Sequence, residues 1–112
     1  MLVRMKNEIK GKVRADGVTM VDLFGDAVKA GDGVTMGHAV FPPGTVVPPA
    51  AHSGDEYSYV LSGKIKCQIG SQTFAAPAGS ATFIPAGEEH SSINDGEDDA
   101  EVVWMLIEKN RI

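Results

Sequence analysis

Short runs of hydrophobic residues, separated by glycine and proline, recur along the whole chain. The runs are rich in Val, Ile, Thr, Tyr and Phe, and several alternate between apolar and polar positions, a pattern typical of β-strands. They predict strands near Val18–Phe24, Val34–Phe41, Glu56–Leu61, Lys64–Ile69, Gln72–Ala76, Ala81–Ile84, His90–Ile93 and Val102–Glu108. Glycine or proline interrupts every window long enough for a helix. About eight short strands with regular turns indicate an all-β sandwich or barrel.

The turns and the most apolar run refine this interpretation. The dipeptides Ser62–Gly63 and Gly70–Ser71 each predict a tight hairpin between neighbouring strands. The run Val102–Ile107 is apolar on both faces, which predicts a central strand covered on both sides. We therefore expect Trp104 in the core rather than against a ligand. The single cysteine, Cys67, cannot form an internal disulfide and is expected to be a small buried hydrophobe.

Length and composition are those of one ordinary folded domain. The chain has 112 residues, of which 43% are hydrophobic and 22% are charged. We expect a single domain over residues 1–112, in which the basic residues 1–15 form an N-terminal arm or an edge strand.

Net charge and the absence of long apolar segments restrict the partners. A net charge of −5 argues against a general nucleic-acid binder. The longest apolar run, Val102–Ile107, is much shorter than the ~20 residues of a membrane span. Arg4, Lys6 and Glu8 interrupt the stretch that a secretory signal would need. These features predict a cytoplasmic protein without nucleic-acid or membrane partners.

The candidate chemistry lies in the histidines, which occur at positions 38, 52 and 90. Glu56 follows His52 by four residues, and His90 begins a predicted strand after the turn at residues 84–87. Two imidazoles and one carboxylate on one side of a cation leave coordination positions free for a substrate or oxygen. Spacing alone leaves surface or hydrogen-bonded histidines as the alternative.

Two longer segments resemble the signature motifs of the cupin superfamily. Residues 44–63, GTVVPPAAHSGDEYSYVLSG, resemble the first motif, G-x5-H-x-H-x3-E-x6-G. Residues 79–94, GSATFIPAGEEHSSIN, fit the second motif, G-x5-P-x-G-x2-H-x3-N, at every fixed position. The resemblance implies the cupin double-stranded β-helix, a small jelly-roll barrel with its site in the mouth. The sequence departs from the first motif at one position, because Ala50 stands where the motif has its first histidine.

The resemblance also implies a ligand set. His52, Glu56 and His90 would bind one divalent transition metal (Fe, Mn, Ni or Zn), and the fourth usual ligand is missing because an alanine methyl cannot coordinate. His38 is either an additional ligand, a neighbour that hydrogen-bonds to a ligand, or an unremarkable strand histidine. In the alternative without metal, Glu56 and His90 form a hydrogen-bonded pair that lines an empty cavity.

Several other residues are candidates for the pocket or its frame. Ser58 shares the inward face with Glu56 and is expected to line the pocket, and Phe83 and Met105 are expected to fill or line the barrel. Asn94 is expected to fix a turn rather than to contact a substrate. No Arg or Lys that would position a substrate stands out around the two motifs.

The resemblance implies three classes of function. The first is a metal-dependent enzyme acting on a small molecule as a dioxygenase, decarboxylase, isomerase or lyase. The second is a non-catalytic module that binds or senses a sugar-like ligand, with or without metal. A structural or storage role is the third. The resemblance further implies a homodimer.

Overall fold

The computed structural model describes residues 1–25 and 33–108, in which almost all of the regular secondary structure is β-strand. The strands are β1 (Lys12–Val13), β2 (Thr19–Asp22), β3 (Val34–Phe41), β4 (Asp55–Ser62), β5 (Lys64–Ile69), β6 (Gln72–Pro77), β7 (Ala81–Ile84), β8 (Ser91–Ile93) and β9 (Ala100–Ile107). One 3₁₀ turn, Lys6–Glu8, precedes them. No helix in the described ranges is long and apolar enough to cross a membrane. The all-β prediction is confirmed.

The strands form two antiparallel sheets that face each other across a cavity. One sheet has six strands in the order β1-β2-β3-β9-β4-β7, and the other has three in the order β6-β5-β8. Val60 and Val102 of the larger sheet pack with Ile65 and Ala76 of the smaller one in a buried cluster. Burying each larger aliphatic side chain contributes about 1.5–3 kcal/mol, so this cluster holds the two layers together. The architecture is the small jelly-roll barrel that the resemblance to the cupin motifs implies.

One of the two predicted hairpins is correct and the other is wrong. The turn Gly70–Ser71 joins β5 and β6, whose first pair, Ile69 with Gln72, is adjacent to it. The turn Ser62–Gly63 instead connects β4 of the larger sheet to β5 of the smaller one. Gly63 has a φ of +72° and lies so close to the Asp99 carbonyl that a Cβ would collide with it. This turn therefore carries the chain from one layer to the other.

Strand β9 is central, as its apolar pattern predicts, because it pairs with β3 on one side and β4 on the other. Its alternate residues face different surroundings. Val102 and Trp104 line the cavity between the sheets. Val103 and Met105, on the opposite face, are only half-buried. On the cavity face Val102 is buried but Trp104 is half-buried too, so the expectation that β9 is covered on both sides is met in full on neither face.

Asn94 fixes the turn after β8, as expected from the sequence. Its side chain is only 1% exposed. The amide Nδ2 donates to the carbonyl oxygens of Phe41 at 2.8 Å and Asp98 at 2.9 Å. The Oδ1 atom accepts from the Gly96 amide at 3.0 Å. Each polar atom of this buried side chain is thus paired, which ties the acidic segment after β8 to the end of β3.

Replacing Asn94 with aspartate is expected to lower the free energy of unfolding by about 2–4 kcal/mol, because a carboxylate oxygen would then face two carbonyl oxygens. Urea denaturation monitored by circular dichroism measures the change. The variant Asp98→Asn alters an exposed side chain nearby and should stay within about 0.5 kcal/mol of the parent. Equal stabilities of the Asn94→Asp variant and the parent would contradict this account of the turn.

Candidate metal centre and its cavity

The structure brings His52, Glu56 and His90 together at one end of the cavity. One potential ligand atom from each of the three lies within 4.8 Å of the other two. The Nε2 atom of His52 is 3.4 Å from the Glu56 carboxylate. The rings of His52 and His90 meet edge to face, with centroids 5.1 Å apart. Of the three pairs, the close contact is His52 with Glu56 rather than Glu56 with His90.

Backbone hydrogen bonds between the two motif segments explain why residues so distant in sequence meet. The Gly87 amide donates to the His52 carbonyl at 2.9 Å. The Ala86 amide donates to the Asp55 carboxylate at 2.9 Å. These contacts bind the loop before β4 to the turn after β7. Asp55 was not singled out in the sequence, because its role depends on a partner thirty-one positions away.

His90 is oriented by its own neighbours. Its backbone forms an isolated antiparallel bridge with Ala50, in which each amide donates to the other's carbonyl, at 2.9 and 3.0 Å. The ring Nδ1 lies 3.0 Å from the Glu88 carbonyl oxygen. Because a carbonyl can only accept, Nδ1 carries the proton and the lone pair of the neutral ring is on Nε2. A metal-binding imidazole is commonly held in this way.

The donor set suits a divalent transition metal. Donors bound to one cation at about 2.1 Å lie at most about 4.2 Å apart, so small side-chain rotations would close this group around an ion. Two imidazoles and one carboxylate are ligands that Fe, Mn, Ni and Zn accept. Exposure decreases inward: the side chains of His52 and Glu56 are 38% and 20% exposed, and His90 is 8% exposed. The site is therefore accessible from the His52 side.

The cavity beside this group has a volume of about 820 Å³, within the range usual for small-molecule sites. Its lining is mainly apolar and includes Met20, Phe41, Ile65, Phe74, Trp104 and Leu106. Trp104 and Cys67, which we expected in the core, are half-buried and line this space. Burial, with smaller contributions from Glu56 and Glu88, raises the pKa of the Cys67 thiol, so the thiol is protonated and a weak nucleophile at neutral pH.

The predicted lining residues have different positions. Ser58 lines the cavity, as expected. Phe83 borders the cavity, but its ring packs against Tyr57 on the outer face of the sheet, with centroids 4.9 Å apart. Met105 pairs with Met36 and Tyr57 on that outer face and does not contribute to the described lining. Successive residues of a strand point to opposite faces of the sheet. Ser58 therefore faces the cavity, whereas Met105 and Phe83, which both pair with Tyr57, face outward.

His38 does not join the candidate metal group. It lies in register with Val103, on the face of β3 opposite to the cavity. Its Nε2 is 3.2 Å from Glu101, whose carboxylate is also 3.9 Å from the Lys6 ammonium. Burial and then Lys6 lower the pKa of His38, against the opposing effect of Glu101. His38 is therefore a neutral histidine beneath the N-terminal segment.

Arg14 and Glu88 line the cavity although the sequence did not single them out. Arg14 is the one cation among the described lining residues, and it forms an ion pair with Asp16. It lies beyond β1, outside both motifs. The strand order places β1 and β2 at the edge of the larger sheet. Only this order could have indicated that Arg14 reaches the cavity.

A comparison with protein families identifies the class to which this fold and site belong. The family model described as the cupin domain matches residues 37–106. The chain belongs to the cupin superfamily. No match was found among curated protein sequences.

Solved structures share the fold at low sequence identity. A predicted oxalate decarboxylase from Thermotoga maritima is 24% identical, with a TM-score of 0.85 and coverage of 96% of this chain and 100% of that one. The polyketide cyclase RemF from Streptomyces resistomycificus is 20% identical, with a TM-score of 0.82 and coverage of 97% and 81%. KdgF from a Halomonas species is 15% identical, with a TM-score of 0.78 and coverage of 98% and 96%. These likenesses concern the fold.

Proposed function

We propose that this cupin is an enzyme that binds one divalent transition metal through His52, Glu56 and His90 and acts on a small molecule in the adjoining cavity. The observation that carries the proposal is the convergence of three donor atoms within 4.8 Å beside a cavity of about 820 Å³. A three-ligand set leaves coordination positions open, and the half-exposed His52 side gives a route for ligands to enter.

The chain's own residues would hold the metal and shape its surroundings. When bound, the metal would supply Lewis-acid polarisation of a substrate oxygen or a site for oxygen. The Glu88 carbonyl keeps the His90 proton on Nδ1, so that the lone pair on Nε2 would be available to a metal. The mainly apolar walls would exclude water from much of a bound substrate. The fold alone does not distinguish dioxygenase, decarboxylase, isomerase and lyase chemistry.

A second candidate function is a binding or sensing module without catalysis. Ala50 occupies the place that the first motif assigns to a fourth ligand, and the His52–Glu56 contact of 3.4 Å gives both side chains a partner without any metal. A protein that binds small molecules equally well with and without metal, and that turns none of them over, would fit this function better.

Metal loading tests the first proposal. Protein treated with a chelator, then incubated separately with Mn²⁺, Ni²⁺, Zn²⁺ and anaerobic Fe²⁺ and desalted, is expected to retain about one equivalent of at least one metal, as a single site requires. Elemental analysis gives the stoichiometry. The variant His38→Gln is the matched control and should retain the same amount, because His38 lies outside the cavity. Folded protein that retains almost none of the four metals would refute the metal site.

We further propose that the protein is a cytoplasmic homodimer formed by one domain over residues 1–112. The outer face of β4 and β7, opposite to the cavity, carries four exposed apolar side chains: Tyr57 at 43%, Tyr59 at 47%, Leu61 at 49% and Phe83 at 53%. Contiguous exposed apolar surface of this kind is typical of an interface. A second copy docked there would leave the cavity open.

The double variant Tyr57→Glu, Tyr59→Glu is expected to convert the dimer to monomer, because two carboxylates per copy would have to be buried against their symmetry mates. Light scattering after size-exclusion chromatography gives the mass. Val46 is 58% exposed but lies outside β4 and β7, so Val46→Glu should remain dimeric. A monomeric parent protein at micromolar concentration would contradict the proposal.

A further inference from the structure

Trp104 is adjacent to the candidate metal group on the cavity face of the larger sheet. It pairs in register with Ser58 of β4, whereas Glu56 pairs with Leu106. Trp104 and Glu56 are therefore diagonal neighbours on one face, a relation that places Cα atoms about 7–8 Å apart. The indole itself extends from β9 over β3 toward Met20 of β2, on the side of β9 away from β4. A ring stacked on it would therefore have to span the cavity from this side to reach the metal group.

Two contacts fix the orientation of the indole. Gly37 of β3 is in register with Trp104, and a Cβ at Gly37 would overlap atoms of the six-membered ring. The ring therefore lies over the bare backbone of β3. Its Nε1–H donates to the Met20 sulfur at 3.0 Å. With one face toward the sheet and its N–H paired, the indole presents its other π-face to the cavity.

The rest of the described lining near the metal group carries no cationic side chain, and Glu88 adds a carboxylate. The side chain of Ser58 and that of Thr82, which pairs with it, supply hydroxyls at this level. Among the described lining residues, the only cation is Arg14, which lies beyond β1 and is separated from β4 by three strands. Its guanidinium is already paired with Asp16. A highly anionic ligand beside the metal group would find no cationic side chain to neutralise it.

We infer that Trp104 is a stacking platform for a planar, largely apolar substrate ring, such as an aromatic or conjugated compound, whose single oxygen donor is directed at the metal group. The oxygen contact rests on the proposed function, whereas stacking on Trp104 does not. A flat ring between Trp104 and the aliphatic walls would bury its faces, and an offset aromatic pair adds attraction beyond the buried area.

The first experiment uses chelator-treated protein and three probes: 2-naphthol, its saturated analogue 2-decalol, and glucose. Isothermal titration calorimetry gives the dissociation constants, and the NMR signal of the indole Nε1–H, unique because the chain has one tryptophan, reports contact with Trp104. We expect 2-naphthol to bind at least about tenfold more tightly than 2-decalol, the equivalent of about 1.4 kcal/mol, and glucose not to bind. Equal binding of the first two probes would overturn the proposal.

Variants assign the effect to the ring. Trp104→Leu keeps an apolar side chain without a π-face and is expected to weaken 2-naphthol binding at least about tenfold, whereas Trp104→Phe should stay within about threefold. Unchanged binding in Trp104→Leu would overturn the platform. If the leucine variant fails to fold, the comparison of 2-naphthol with 2-decalol on the parent and on the phenylalanine variant still tests whether the ligand stacks on an aromatic ring at position 104.

Metal loading separates this inference from the proposed function. In metal-loaded protein, 2-naphthol is expected to gain at least about tenfold in affinity while naphthalene, which lacks the oxygen, gains nothing. Loss of metal retention with probe binding intact would refute the metal site and leave the stacking platform standing. A loaded protein in which both probes gain equally would refute the oxygen contact alone.

Discussion

Replacing His90 with alanine is expected to lower the affinity for a divalent transition metal by at least about a hundredfold. Even residues that only orient a metal ligand change affinity by about 10–100-fold, and His90 is a ligand candidate itself. It is 8% exposed, and its Nδ1–H is held by the Glu88 carbonyl, so its Nε2 is oriented before any metal arrives. No other described histidine can replace it, because His38 lies on the opposite face of β3.

Competition with a chromophoric chelator measures this affinity in the parent and the variant. The metal should also stabilise the parent by about 4 kcal/mol at a thousand times its dissociation constant, and the variant hardly at all. The thermal midpoint therefore gives an independent measurement. The His38→Gln variant removes the other buried histidine and should bind metal like the parent. An affinity of His90→Ala within threefold of the parent value would show that His90 is not a ligand.

Local patterns were enough to predict most of the strands. Alternation identified β3, β5 and β7 with the bounds that the structure has, because each is a run with glycine, proline or loop residues at both ends. The strand β1 was not among the eight predicted strands, since two exposed residues carry no periodicity, and was included only in the expectation of an N-terminal arm or edge strand over residues 1–15. The wrong hairpin at Ser62–Gly63 has a different cause. A turn signal specifies how the chain bends locally, but not which sheet the next strand joins.

The candidate site was predictable where a motif supplied long-range information. His52, Glu56 and His90 lie on separate segments, and only the two-motif resemblance indicated that they meet. Their convergence within 4.8 Å agrees with that expectation. The hydrogen bonds that produce it, such as Gly87 to His52, join loops with no shared pattern. They could not be inferred from either loop alone.

Residues on strands that are apolar on both faces could not be assigned to a face. In β9 we expected Trp104 in the core and Met105 in or near the pocket, whereas Trp104 is the one that lines the cavity. A one-residue change of register exchanges the two faces, and nothing in an unbroken apolar run specifies the register. The same ambiguity applied to His38 in β3. Gly37, which accommodates the indole, becomes meaningful only once its pairing with Trp104 is known.

Replacing Ala50 with histidine is expected to raise metal affinity by about 10–100-fold, as a further imidazole ligand would. Ala50 lines the cavity and exchanges two backbone hydrogen bonds with His90. Residues paired in this way have Cα atoms about 5.5 Å apart and side chains on the same face. Because Ala50 is exposed, an imidazole fits there without displacing its neighbours.

Ala51→His is the matched control, because the adjacent residue does not contribute to the described lining. It introduces the same side chain one position away and should leave affinity unchanged. Chelator competition compares the two variants with the parent. A gain in metal affinity confined to Ala50→His would place position 50 in the coordination sphere. It would also explain why the parent site binds metal more weakly and has one more open coordination position. Equal affinities of the parent and both variants would show that position 50 does not face the metal. The alanine at this motif position would then have no effect on coordination.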